Sequence, residues 1–145
     1  MQFDLRNRVE LDKVFAVRPI DAVIHFAGYK AVGESVDKPL EYYDNNIVST
    51  IVLMEAMRKH SVFNLVFSSS CTVYGFADEV PISEKGMLQA ISPYGRTKLF
   101  QEQMLRDLAD SPYWLHSYQP RNWQGHQRAR ACQDVRGGQR CQRCV

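Results

Sequence analysis

The chain has 145 residues, 45% hydrophobic and 23% charged, with a formal net charge of +2. That length favours one domain, and the composition excludes a collagen-like chain, a coiled coil and a wholly disordered one. Apolar runs such as Ile51-Val52-Leu53-Met54 fall far short of the ~20 residues that span a bilayer. Met1-Gln2-Phe3-Asp4 carries no apolar signal region, so a cytoplasmic protein with no membrane partner is expected.

The averages conceal two unlike pieces. Residues 1–112 hold 12 Lys+Arg against 15 Asp+Glu, whereas residues 113–145 hold 6 Arg against 1 Asp. Cysteine is skewed as well: Cys71 lies in the body, and Cys132, Cys141 and Cys144 crowd the end.

In chain order, Val9 to Phe15 shows apolar residues at helical spacing, and Pro19 closes that helix. Asp21 to Gly28 is a short apolar run ending in glycine, the pattern of a parallel strand covered on both faces. Asp37 is the expected N-cap of a long helix that opens at Pro39 and runs to His60. Leu40, Tyr43, Ile47, Ile51 and Met54 fall on one side of it. Phe63 to Ser68 reads as the next strand, followed by a loop containing Gly75, Pro81 and Gly86. Ser92 then caps a helix that runs through Leu99, Met104, Leu105 and Leu108 to about Asp110.

This βαβ rhythm predicts an α/β fold built as a partial Rossmann-like, doubly wound parallel sheet over residues 1–112. Ligands in such sheets collect at the carboxyl ends of the strands. Here those ends are Phe26-Ala27-Gly28 and Ser68-Ser69-Ser70.

Residues 113–145 have little apolar periodicity and read as an irregular basic tail. Their arginines follow no helical face and have few aromatics between them, so no nucleic-acid partner is expected. Cys141 and Cys144 make one C-x2-C pair, and a zinc site would also need Cys132 with His126 or His116. No metal is expected.

Tyr94-Gly95-Arg96-Thr97-Lys98 is the most informative segment, because Tyr94 and Lys98 are four apart on one helix face. A tyrosine is a poor base at neutral pH, but a nearby ammonium favours phenolate. Such a pair beside a nicotinamide can take the proton of an alcohol as hydride leaves its carbon. Y-x-x-x-K alone is weak and often marks only an exposed pair. The strand-end serines 24 residues before Tyr94 strengthen it, since a hydroxyl there can bond the same substrate oxygen.

These segments together resemble the extended short-chain dehydrogenase/reductase family, and within it the UDP-hexose 4-epimerases. The carrying stretches are Val23 to Val36, Lys38 to Asn46, Phe67 to Gly75 and Ser92 to Lys98, and the likeness covers residues 3 to 114. Cys71 stands where that group usually has alanine. The dehydratases similar to this family carry an acidic pair just after the strand-end hydroxyl. Cys71-Thr72-Val73 has no carboxylate, which argues against elimination.

The resemblance implies an isomerase of galactose metabolism that interconverts UDP-glucose and UDP-galactose through a 4-keto sugar with bound NAD. Tyr94 would be the base, Ser70 would bond the 4-oxygen, and Lys98 would hold the nicotinamide ribose. Asp4 and Leu5 match positions beside the adenine. Phe26, Ala27, Gly28, Lys30, Asn45 and Ser68 match other cofactor contacts, and Lys30, Ser70, Cys71, Thr72 and Tyr94 substrate contacts. The long helices 39–60 and 94–110 resemble those that form a dimer contact.

The sequence has no Gly-rich phosphate turn ahead of Asp4 and no counterpart of the family's substrate domain. It is therefore expected to be N-terminally truncated and weakly active or inactive, with a non-catalytic fragment as the alternative. The loss of pattern after Trp114 suggests a tail translated out of frame.

Overall fold

The computed structural model describes residues 2–76 and 81–115, so the expectations for the tail lie outside the described residues. Helix α1 spans Arg8–Val17, and the Asn7 side chain accepts the Glu10 N–H at 3.2 Å to cap it. Strand β1 is Ala22–His25, followed by the short helices α2 (Val32–Asp37) and α3 (Pro39–Tyr43). A π-helical turn over Asp44–Val48 joins α3 to α4, Ser49–Lys59. Strand β2 is Asn64–Phe67, and a 3-10 turn follows over Cys71–Tyr74. Helix α5 spans Pro93–Asp110, capped by Ser92, and α6 is Pro112–Leu115.

β1 and β2 pair in parallel, with Ala22 opposite Asn64 and His25 opposite Phe67. A parallel pair needs a crossover, and α2 to α4 provide it. Both carboxyl ends therefore emerge side by side, and the Ser68 N–H extends the ladder to His25 O at 3.2 Å.

The core lies on one side of this pair. Leu11 and Phe15 of α1 meet Val52, Leu53, Ala56 and Met57 of α4, with Val62, Phe63 and Trp114. Phe63 and Trp114 meet edge to face with ring centroids 5.2 Å apart. Val23 and Leu65 pack against the cluster, while their strand neighbours Ile24 and Val66 are 61% and 56% exposed.

Three expectations need correction. Among the described residues the strands are covered on one face only: Val23, His25, Leu65 and Phe67 are buried or half-buried, while Ile24 and Val66 on the other face are exposed. Asp37 is not an N-cap: it ends α2, and Lys38 precedes Pro39 without a side-chain cap. The stripe from Leu40 to Met54 is only partly the packed face of the long helix: Met54 joins the core, but Leu40 is 80% exposed and Ile51 is exposed as well. The π-helical turn rotates the helix, and its buried side carries Tyr42, Asn46, Ser49, Thr50, Leu53 and Met57. Polar side chains win burial there because each finds a hydrogen-bond partner: Tyr42, Asn46 and Thr50 on other elements, and Ser49 on Asn46 O one turn back.

Candidate active site

The site forms where the ends of β1 and β2 meet α5. Ser92 starts α5 by accepting the Gly95 N–H at 3.0 Å, and Pro93 takes the first helical position, where its missing N–H costs nothing. The Tyr94 N–H is another of the helix's unpaired donors. Ser35 of α2 accepts it at 3.1 Å while donating to Val32 O at 2.6 Å. Tyr94 and Lys98 are therefore one turn apart on the buried side of α5, as their spacing predicted.

Lys98 Nζ donates to Ser68 O at 2.9 Å and lies 4.8 Å from the centre of the Phe67 ring. Burial lowers its pKa from the usual lysine range, and the nearby Glu102 carboxylate opposes that shift. Ser70 caps the 3-10 turn: its Oγ accepts Thr72 N–H at 3.3 Å and the Thr72 hydroxyl at 2.9 Å. Both bonds use Ser70 as acceptor, so its own O–H remains to be donated. Thr72 is half-buried in that turn and Cys71 is exposed.

Gly95 lets the turn and α5 approach. A Cβ there would stand 2.8 Å from Thr72 O. Gly28, three residues past β1, has φ +151°, a conformation that favours glycine. Phe26, Ala27, Gly28 and Lys30 form an exposed rim beside the serines.

Asp4 and Leu5 precede α1, and Asn45 lies in the π-helical turn. Asp4 is bound by Arg6 at 2.6 Å, which holds its carboxyl down to about 2. Arg6 also pairs with Asp44, the neighbour of Asn45. Leu5 packs against the core. Asn45 donates to Asn46 Oδ1 at 3.0 Å, and so reaches the rim indirectly.

That link was not anticipated from sequence. Asn46 is fully buried: its Oδ1 accepts Tyr29 N–H at 2.7 Å, and its Nδ2 donates to Tyr29 O at 3.0 Å and Thr97 Oγ1 at 3.1 Å. Behind it, Gln101 donates to Asn46 O at 2.9 Å and to Thr50 Oγ1 at 2.6 Å. His25 meets the same Thr50 hydroxyl at 2.8 Å. Desolvation, with the nearby Lys98 charge, pushes the His25 pKa down to about 4. The signal was present as two polar stripes at helical spacing, Asn46/Thr50 and Thr97/Gln101.

Residues 1–127 match the family model described as GDP-mannose 4,6 dehydratase. The chain belongs to that family. The match runs past residue 114, where the resemblance was expected to end. UDP-glucose 4-epimerase 2 of Arabidopsis thaliana is 59% identical over 107 residues, 74% of this chain and 31% of that protein. UDP-glucose 4-epimerase of Yersinia pestis is 58% identical over 114 residues, 77% of this chain and 33% of that protein. The crystal structure of UDP-glucose 4-epimerase from Bifidobacterium longum in complex with NAD+ and UDP superposes with a TM-score of 0.73 at 55% identity. That match covers 74% of this chain and 32% of that one. The chain thus spans about a third of the relatives it matches.

Proposed function

We propose that this chain carries the catalytic segment of an NAD-dependent epimerase acting between UDP-glucose and UDP-galactose. The observation that carries this reading is the convergence of Tyr94, Lys98 and the Ser68–Ser70 strand end, with Lys98 Nζ at 2.9 Å from Ser68 O. The residues fit a nicotinamide cofactor: a buried ammonium stands at the carboxyl ends of two parallel strands. When bound, NAD accepts and returns a hydride.

In this reading Tyr94 removes the proton of the sugar 4-hydroxyl, and Ser70 donates its free O–H to the same oxygen. Lys98 orients the nicotinamide ribose. Phe26, Ala27, Gly28, Lys30, Asn45 and Ser68 line the cofactor, with Asp4 and Leu5 toward the adenine. Lys30, Cys71 and Thr72 border the sugar. No carboxylate follows Ser70 to expel water, which favours epimerisation over elimination.

A second reading, a non-catalytic fragment, is favoured by coverage of only about a third of the relatives. Adding NAD and UDP-galactose and coupling UDP-glucose formation to a dehydrogenase separates the two. Turnover abolished by Tyr94→Phe supports catalysis by this chain. Absence of turnover, with or without NAD binding, supports the fragment and contradicts catalysis by this chain.

We also propose a division into an NAD-binding unit, 1–112, and a tail, 113–145, supported by relatives that match over 107 to 114 residues. Translating the other two nucleotide frames tests the out-of-frame origin; it fails if neither restores a strand pattern. A homodimer through the long helices fits the exposed Leu40, Ile51 and Phe100, and sedimentation of Phe100→Asp would then show a loss of dimer. A cytoplasmic setting fits the free Cys71 thiol. Among the described residues no helix is long and apolar enough to cross a membrane.

A further inference from the structure

Glu102 lies one turn beyond Lys98 on α5, half-buried, and accepts a hydrogen bond from Ser69 Oγ. Lys98 holds the preceding residue through Ser68 O at 2.9 Å. The following residue, Ser70, is held by Thr72 at 2.9 Å. Three consecutive residues at one strand end are thus each restrained, and two of the restraints come from one face of α5. A hydroxyl that must meet a substrate oxygen needs placement within about 0.5 Å, which only a supporting layer of packed and bonded side chains gives.

We propose that Glu102 is a positioning residue for Lys98 and Ser70. It locks Ser69, so that the strand-end serines keep their register against α5, and its negative charge sustains the Lys98 ammonium. What those two groups then do rests on the epimerase reading; the linkage itself does not.

Among the described residues, the groups around Lys98 leave Glu102 as its source of compensating charge. His25 faces it from β1 and is neutral at pH 7, because burial pushes its pKa to about 4. β2 offers the Phe67 ring at 4.8 Å and the Ser68 carbonyl. On α5, Tyr94 precedes it by one turn and Glu102 follows it by one. Burial works against the Lys98 ammonium and the Glu102 carboxylate works for it.

The test uses the full chain labelled with 13C and 15N, in four forms: unaltered, Glu102→Gln, Glu102→Ala and Ser69→Ala. Glutamine keeps an acceptor for Ser69 and removes the charge. Ser69→Ala removes the bond and keeps the charge. NMR follows the titration of the Lys98 Cε–Nζ group and the amide shift of Ser70. Lys98 should titrate lower by about half a pH unit or more in both Glu102 variants, and at its unaltered value in Ser69→Ala. The Ser70 amide should move in Glu102→Ala and stay in place in Glu102→Gln. An unchanged Lys98 titration in both Glu102 variants, or a Ser70 amide indifferent to Glu102→Ala, overturns the proposal. Adding NAD to the same samples tests the functional reading separately. This split without NAD binding would keep the Glu102 linkage and remove the epimerase assignment.

Discussion

Asn46→Ala is the substitution whose cost the structure defines best. The side chain is fully buried and makes three bonds that tie separate elements together: two to the Tyr29 peptide at 2.7 and 3.0 Å, one to Thr97 Oγ1 at 3.1 Å. Each such bond is worth about 1 kcal/mol net. The void left beneath the Gly28–Tyr29 turn adds to that cost, and water reaching the half-exposed Tyr29 peptide offsets part of it. The expected loss is about 2–4 kcal/mol, a large share of the ~5–15 kcal/mol that stabilises a typical domain. Urea unfolding at constant slope measures it, and hydrogen exchange at the Tyr29 amide locates it. Asn46→Asp should cost more than Ala at pH 7, because a carboxylate cannot donate to Tyr29 O and is buried with its charge. A loss below about 1 kcal/mol in Asn46→Ala, with Tyr29 exchange unchanged, would refute the view that this amide clamps the strand-end turn to α5.

Three further outcomes follow from single residues. His25 has a pKa lowered from 6.5 to about 4, so its contribution is complete above about pH 6.5 and is lost as pH falls through 4. The shift corresponds to about 3 kcal/mol, and urea midpoints between pH 7.5 and 4 should lose that slope in His25→Phe. Gly95→Ala puts a methyl 2.8 Å from Thr72 O. Despite alanine's better helix propensity it should destabilise by about 1–2 kcal/mol, seen as a lower thermal midpoint. Ser61 follows α4 with φ +58°, while Val62 N–H bonds Met57 O at 2.8 Å in a helix-ending turn. Ser61→Gly should stabilise the fold by about 1 kcal/mol, and a midpoint that does not rise contradicts this.

The sequence made much of this arrangement legible where short-range chemistry decides it. Ser92 marked the start of α5 because a capping hydroxyl suits a first turn wherever it lies. The Tyr94–Lys98 spacing placed both on one face because helical geometry is fixed. Tertiary context governed what stayed hidden. Asp37 has the right chemistry for a cap, yet α2 continues through it and Lys38 takes the turn. The apolar residues from Leu40 to Met54 share one side by spacing and Met54 reaches the core, but the π-helical turn at Asp44–Val48 also turns Asn46 and Thr50 inward. Their burial depends on Tyr29, Thr97, Gln101 and His25, distant in sequence, and no local pattern discloses such partners. Ser69 and Glu102 are 33 residues apart and meet only because β2 ends against α5.

The most direct test of the cofactor-site assignment is an amide chemical-shift map of the 145-residue chain titrated with NAD into the millimolar range. Perturbations should cluster at Gly28, Lys30, Asn45, Ser68 and Lys98 and leave α1 (Arg8–Val17) untouched. No perturbation, or shifts confined to helices away from the two strand ends, would contradict the assignment of this face as a nicotinamide site.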